Sequence, residues 1–283
     1  LEANRLGFDA HAADLNPVAV LLNKCNLELA PKWSGRPAVN PRDRKLIGGT
    51  GVASGTHGLA ADVRYYGALV RDRARAKVGH LYPKVRLPKE HGGGDTDVIA
   101  WIWARTVASD NAAAKGKHVP LISTFWLSAK KGGLAWLEPI VDKVAGTYRF
   151  VVRTGVPSDR TAISAGTKLG RGANFRCLLT GEPISESHIK AEGKLRRLGI
   201  IPIAIVAEVQ RGRTYLEVTD SNCPPQPNVD GVWRPEGDVP ARLTGGTCYG
   251  YGLTTWADLF TPRQLTALVA LSDLVKELVE DIA

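Results

Sequence analysis

Apolar residues recur at helical spacing near both ends of the chain and around residues 59–79, whereas the middle of the chain alternates with the period of strands. The predicted strands of this middle part are 98–107, 118–127, 134–141, 148–153, 200–209 and 213–218. A turn at Gly146 and another at Gly212 predict two hairpins among them. Residues 155–175 and 220–247 are rich in Gly, Pro, Ser and Asn, which predicts loops. The pattern therefore favours a mixed chain with a β-rich middle.

The first thirty residues have the pattern of an α/β protein. A helix over 1–6 is closed by Gly7, a strand follows over 8–13, and Asp14 stands at its end. A second helix is predicted over 18–29, with Pro17 in its first turn. This order is half of a βαβ unit, so the predicted fold class is α/β.

The C-terminal segment predicts a long helix with a wide apolar face. Thr261 is a natural N-cap and Pro262 fits the first helical position. Such a face is normally buried against another element, and a sheet missing from this chain is the candidate. The apolar positions are Leu265, Leu268, Val269, Leu271, Leu274, Val275, Leu278 and Val279.

Positive charge is concentrated in one stretch. The 283 residues include 37 Lys and Arg against 28 Asp and Glu, and eight of the basic residues lie between Arg64 and Lys89 beside a single acid, Asp72. Helical spacing predicts an amphipathic helix with a basic outer face. That face either contacts nucleic-acid phosphates or is simply solvated. The residues predicted to face inward are Leu59, Val63, Tyr66, Val70 and Val78, and the candidate phosphate contacts are Arg64, Arg71, Arg75 and Lys77.

Several classes of protein are disfavoured by the sequence. No apolar run reaches the roughly 18 residues of a membrane span, and no signal peptide opens the chain. We therefore expect a cytoplasmic protein without membrane contact. The chain has no methionine, and we expect it to be an internal piece of a longer protein. Its four scattered cysteines are expected to be reduced thiols, and its six histidines have no metal-binding spacing.

Asp14 has two interpretations. An acid at the tip of the second strand of a Rossmann-like unit can accept hydrogen bonds from both ribose hydroxyls of a nucleotide cofactor. Alternatively, it is a turn residue or a cap of the following helix. The glycine-rich run at 48–55 lacks a preceding strand and a Gly-Lys-Ser/Thr ending, so we predict a flexible loop there.

Seven segments in order carry a family resemblance. They are LEANRLGFDAHAADLNPVAVLLNK at 1–24, LAADVRYYG at 59–67, VGHLYPK at 78–84, IAWIWARTV at 99–107, FWLSAKKG at 125–132, AIVAE at 204–208 and GLTTWADLFTPRQLTAL at 252–268. The chain resembles, over nearly its whole length, a bacterial and archaeal family of adenine-specific DNA methylases with an inserted zinc ribbon, long filed as a domain of unknown function.

The resemblance implies part of a Rossmann-like class I methyltransferase core with a large β-rich, degenerate zinc-ribbon-like insert. Core pieces would lie at 1–31 and 251–283, a basic helical insert at 32–97 and the β-rich insert at 98–250. It makes Asp14 the ribose-binding acid of an S-adenosylmethionine site, with Leu15 and Asn16 beside the adenine. The family's glycine loop and Asp-Pro-Pro-Tyr motif would lie outside this chain, so the chain alone would be catalytically inactive.

The chain departs from the family at the zinc ribbon. The stretch 108–118 has no cysteine, and the second knuckle reads Cys177-Leu178-Leu179-Thr180-Gly181, with threonine in place of a thiolate. Structural zinc needs four ligands. We therefore expect no zinc, and an insert stabilised by apolar packing.

The function expected from the resemblance is a segment of an S-adenosylmethionine-dependent DNA adenine-N6 methyltransferase, in a restriction or phage-defence setting. The alternative is a non-catalytic nucleic-acid-binding or assembly module. DNA is the expected partner in the first case.

Overall fold

The computed structural model of the chain describes residues 2–44, 55–210 and 212–282 and shows a mixed α/β protein. Its α-helices are α1 Glu2–Arg5, α2 Pro17–Lys24, α3 Ala30–Lys32, α4 His57–Val78, α5 Arg160–Ala165, α6 Glu186–Lys194, α7 Thr247–Gly250 and α8 Pro262–Ile282, and a π-helical stretch, Cys25–Leu29, joins α2 to α3. Its strands are β1 Val85–Arg86, β2 Asp95–Thr96, β3 Val98–Ala108, β4 His118–Leu121, β5 Trp126–Ser128, β6 Ala135–Asp142, β7 Thr147–Thr154, β8 Phe175–Arg176, β9 Pro183–Ile184, β10 Gly199–Val209 and β11 Gly212–Leu216. Short 3₁₀ turns lie at Gly79–Leu81, Lys89–His91, Ala112–Ala114, Leu243–Gly246 and Trp256–Leu259.

The chain divides into two compact units. One unit consists of Leu1–Val78 with Ala267–Ala283, and the other is Gly79–Thr266. The four segments expected from the family resemblance stay a prediction. Most of the predicted glycine-rich loop at 48–55 lies outside the described residues.

The start of the first unit is helical, but it lacks the predicted strand. Gly7 closes α1 in a left-handed conformation, and Asn16 caps α2 by accepting a hydrogen bond from the backbone N–H of Val18 at 3.0 Å. The strand predicted over 8–13 is wrong: no described strand pairs with these residues, and nearly all of them are exposed. A strand needs a hydrogen-bonded neighbour, so the local pattern alone could not form it.

The C-terminal helix α8 begins as predicted. The Thr261 hydroxyl accepts from the backbone N–H of Gln264, while the Gln264 side chain accepts from the backbone N–H of Thr261 at 2.9 Å. This reciprocal pair is a capping box. Only part of the apolar face is buried within the described chain, and its cover by a missing sheet stays a prediction. Its buried members include Leu265, Leu274 and Leu278, whereas a stripe of four residues is 40–62% exposed: Leu268, Leu271, Val275 and Val279.

Besides the two-stranded sheets β1–β2 and β8–β9, the described part of the second unit contains two larger antiparallel sheets. One has the order β11-β10-β3-β4 and the other β5-β6-β7, and the predicted hairpins β6–β7 and β10–β11 are both present. The predicted strand 118–127 is split between the two sheets. Its chain turns away because the backbone N–H of Ile122 binds the Thr167 hydroxyl and that of Phe125 binds the carbonyl of Ile163.

Three apolar clusters hold this unit together. The largest includes Phe125, Leu137, Phe150 and Ile203. The second includes Val107, Val119, Phe175, Ile184 and Ile189. The third includes Val85, Trp101, Ile205 and Ala207. Burial of such side chains is the main stabilising term of a β-rich domain without disulfides.

Two helices of the second unit differ from the sequence-based expectation. Helix α5 lies inside the predicted loop 155–175, where the Asp159 carboxylate caps it by accepting from the backbone N–H of Ala162 at 2.9 Å. Helix α6 was not predicted, although Ser185 is a good N-cap and accepts from the backbone N–H of His188. Both helices are short, so their periodic signal is weak.

The second knuckle of the expected ribbon is a tight hairpin, β8–β9. The backbone N–H of Gly181 donates to the carbonyl of Cys177, and that of Cys177 to the carbonyl of Glu182, both at 2.8 Å. Burial raises the pKa of the Cys177 thiol, but hydrogen bonds to its sulfur from Ser109 and Thr180 outweigh this and lower the pKa overall. The threonine at the second ligand position of the knuckle therefore contacts the remaining cysteine.

Candidate nucleic-acid interface

Three arginines form a row along α4. Arg64, Arg71 and Arg75 are seven and four residues apart, so they lie on the same side of the helix and are all exposed. At 1.5 Å per residue their Cα atoms are separated by about 10 and 6 Å along the axis. We call these three residues the arginine row. Such a row can place several guanidinium groups along a phosphate backbone.

Lys77 was grouped with the arginine row by sequence, and the structure places it elsewhere. It follows Arg75 by two residues and therefore points about 200° around the helix. Its ammonium lies 4.0 Å from the Glu277 carboxylate of α8.

Four of the five residues predicted to face inward on α4 are at least partly buried: Leu59, Tyr66, Val70 and Val78. The fifth, Val63, is 64% exposed, so its assignment to the buried face was wrong.

A loop rich in arginine packs against the first turns of α4. Both carboxylate oxygens of Asp62 accept from the backbone N–H of Val39 at 3.0 Å, and one of them also accepts from the backbone N–H of Asn40 at 2.8 Å. Gly58 allows this approach, because a Cβ there would lie 2.2 Å from the carbonyl oxygen of Arg36. We call residues 36–44 the arginine loop.

Asn40 is the centre of this packing. Its side chain is fully buried and makes four hydrogen bonds. The amide nitrogen donates to the carboxylates of Asp62 and Asp43, and the amide oxygen accepts from the backbone N–H groups of Arg42 and Asp43. The loop is thus fixed to the helix by a satisfied polar network.

The arginine loop extends the positive charge of α4. The guanidinium of Arg42 lies 5.7 Å from the ring centre of Tyr65, and that of Arg36 lies 4.9 Å from the ring centre of Trp33. Hydrogen bonding from Arg42 lowers the pKa of Asp43, and the charge of Arg64 adds to this effect. The loop and α4 together contain eight Arg and Lys residues against three Asp. This surface can attract a polyanion.

The residues assigned to a cofactor by resemblance lie in a turn before α2. The Asp14 carboxylate accepts from the backbone N–H of Asn16 at 2.7 Å, and Asn16 caps the helix. The Leu15 side chain is fully exposed. These hydrogen bonds match the alternative interpretation of Asp14 as a turn residue, and a role in cofactor binding stays a prediction.

In the described part of the chain, no group of three or more His, Cys, Asp or Glu side chains could hold a metal ion, and the absence of zinc stays a prediction. Across residues 2–44, 55–210 and 212–282, no helix has the length and apolarity needed to cross a membrane.

Comparisons with protein-family models, curated proteins and solved structures find no match to this chain.

Proposed function

We propose that this chain binds nucleic acid through the arginine row of α4 and the adjoining arginine loop. The observation that carries the proposal is the alignment of Arg64, Arg71 and Arg75 on one exposed side of a 22-residue helix. Neutralising phosphates with such side chains releases counterions and gives binding that weakens with salt. Hydrogen bonds already hold the arginine loop beside the helix. The loop therefore does not have to become ordered on binding, which lowers the entropic cost of association.

The test measures duplex DNA binding by the 283-residue chain, using fluorescence anisotropy over a series of salt concentrations. We expect the triple variant Arg64→Gln/Arg71→Gln/Arg75→Gln to bind about thirtyfold more weakly, and its salt slope to fall by roughly 2 to 3. A matched control, Lys130→Gln/Lys131→Gln/Lys143→Gln, removes the same charge from exposed positions of the second unit. Equal loss in both variants would mean that net charge, and not this surface, drives the binding.

A second proposal places this surface within a cytoplasmic S-adenosylmethionine-dependent DNA adenine-N6 methyltransferase. Its support is the family resemblance, together with the exposed apolar stripe of α8, Leu268, Leu271, Val275 and Val279. A continuous stripe of exposed apolar side chains usually packs against another element. A Rossmann-like sheet supplied by the rest of a longer protein would fit it. The bound cofactor would supply the methyl group, while the arginine row would hold the DNA.

The cofactor proposal is tested by titrating S-adenosylmethionine into the full-length gene product in a calorimeter. We expect saturable binding, weakened about tenfold by Asp14→Ala, or about 1.4 kcal/mol. The control is Asp9→Ala, which removes a neighbouring exposed carboxylate. An absence of binding by the unaltered protein would contradict the methyltransferase proposal and leave the nucleic-acid proposal standing.

A further inference from the structure

The second unit contains a cavity of about 630 Å³ that none of the functions above uses. This volume is within the range of roughly 300–1,000 Å³ that is typical of small-molecule sites. Its lining comes from β3, β4, β8, α6, α7 and the segments that connect them. Two aromatic residues, Phe175 and Tyr251, are part of the lining, and most of the exposed lining surface is apolar. A flat apolar group would therefore be well accommodated.

The charged groups of this cavity are mainly positive. Among the described residues, the lining includes the cations Arg105, Lys168 and Arg196 and a single carboxylate, that of Asp258. Asp258 is already engaged: it accepts from the backbone N–H groups of Thr254 at 3.1 Å and Thr255 at 2.9 Å, and it lies 3.4 Å from the Arg196 guanidinium. Asp258 offsets the charge of Arg196, so the charges of Arg105 and Lys168 remain in the lining and call for an anionic ligand.

A close contact between two backbone segments forms one wall of the cavity before any ligand binds. A Cβ on Gly252 would lie 1.9 Å from the carbonyl oxygen of Gly193, and a Cβ on Gly193 would lie 2.4 Å from the carbonyl oxygen of Tyr251. Gly252 also has a φ of +82°. The end of α6 therefore sits directly on the turn that follows α7. This fixes the position of Arg196, three residues after Gly193.

Arg196 has a backbone conformation that favours glycine. Its φ is +56°, and its N–H donates to the carbonyl of Gly193 in the turn that ends α6. This is the position after a helix where glycine is the usual residue, because a side chain is strained there. Residues with a strained backbone conformation are often found at functional sites. Here the strained residue brings a guanidinium to the cavity.

We propose that this cavity binds a nucleotide, with its phosphate held by Arg105, Lys168 and Arg196 and its base against Phe175 and Tyr251. An organic phosphate joined to a flat ring supplies both the anion and the apolar surface that the lining requires. The nucleotide is either free or part of a single nucleic-acid strand. The proposal is independent of the arginine row, which belongs to the other unit.

The test titrates AMP, CMP, adenosine and inorganic phosphate separately into the 283-residue chain by calorimetry. We expect saturable binding of a mononucleotide, with adenosine and phosphate at least about tenfold weaker, because each supplies only one half of the interaction. Single-stranded (dA)6 is titrated into the arginine-row triple variant, in which binding to α4 is weakened, and into the same variant carrying Arg105→Gln. Binding of (dA)6 that Arg105→Gln weakens, without binding of mononucleotides, would assign the site to a nucleotide within a strand.

The decisive variant is Arg196→Gly, which removes the guanidinium and relieves the strained backbone. We expect ligand affinity to fall by about tenfold or more, with no fall in Tm. Lys115→Gly is the matched control, since Lys115 is an exposed cation with a φ of +49° outside the cavity. Arg105→Gln provides a second variant without a backbone effect. The proposal is overturned if none of the nucleotide probes binds, or if both cavity variants bind as tightly as the unaltered chain.

Discussion

Replacing Asn40 by alanine is expected to lower the free energy of unfolding by about 3 kcal/mol. The amide of Asn40 is fully buried, and its loss leaves the backbone N–H groups of Arg42 and Asp43 without their acceptor. The carboxylates of Asp43 and Asp62 lose a donor at the same time. Urea denaturation followed by far-ultraviolet circular dichroism measures the change, because the network supports α4.

Two further variants distinguish the hydrogen bonds of Asn40 from its volume. Asn40→Asp keeps the acceptor but places a third carboxylate beside Asp43 and Asp62, which raises the pKa of the new acid in the folded state. Its stability is therefore expected to fall as the pH rises through that folded-state pKa, and to recover on acidification. The control Asn26→Ala, at an exposed position of the same unit, should change stability by less than about 0.5 kcal/mol. A loss in Asn40→Ala no larger than this would refute the role of the network.

Replacing Arg263 by alanine is expected to destabilise the second unit by about 3 kcal/mol, because it leaves a cavity among aromatic rings. The side chain is 7% exposed, and its guanidinium carbon lies 4.6 Å from the ring centre of Trp101, 5.1 Å from Tyr82 and 5.7 Å from Trp103. Its Nη1 is buried without a hydrogen-bond partner in the described structure. Desolvation accordingly lowers the pKa of Arg263.

Comparison of Arg263→Met with Arg263→Lys shows whether charge or packing dominates. Methionine retains much of the volume without an unpaired buried charge, so we expect it to lie within about 1 kcal/mol of the unaltered chain. Lysine keeps the charge but lacks the flat surface that stacks on the rings, so we expect it to be less stable than methionine. Tryptophan fluorescence during urea denaturation reports both variants. A lysine variant more stable than the methionine variant would show that the attraction between the cation and the rings exceeds the desolvation penalty.

The sequence predicted the structure well for elements whose pattern lies within one segment of the chain. Helix α4, the capped start of α8 and the hairpins β6–β7 and β10–β11 all follow from periodicity and turn residues. The strand over 8–13 did not form, since a strand depends on a partner that periodicity cannot supply. The cover of α8 could not be predicted for the same reason: the sequence shows which side is apolar, but not which element packs against it.

The candidate sites were predictable to different degrees. The arginine row lies on one helix, so its spacing is visible in the sequence. Lys77 lies on another side of that helix, and its contact with nucleic acid stays a prediction. The cavity could not be predicted, because Arg105, Lys168 and Arg196 come from distant parts of the chain. Arg263 was also missed, because its rings belong to Tyr82 and to strand β3, both far away in sequence. For the cavity, the one local signal was an arginine directly after a helix, where glycine is usual.

The contact between Gly193 and Gly252 also bears on how this unit can diverge over evolution. Because neither position accepts even a methyl group without moving the backbone, single substitutions there would separate α6 from the following turn. Changes of ligand preference would accumulate instead among the side chains that line the cavity, while its outline stays the same. Proteins that diverge from this chain should therefore change their ligand preference sooner than the shape of the cavity.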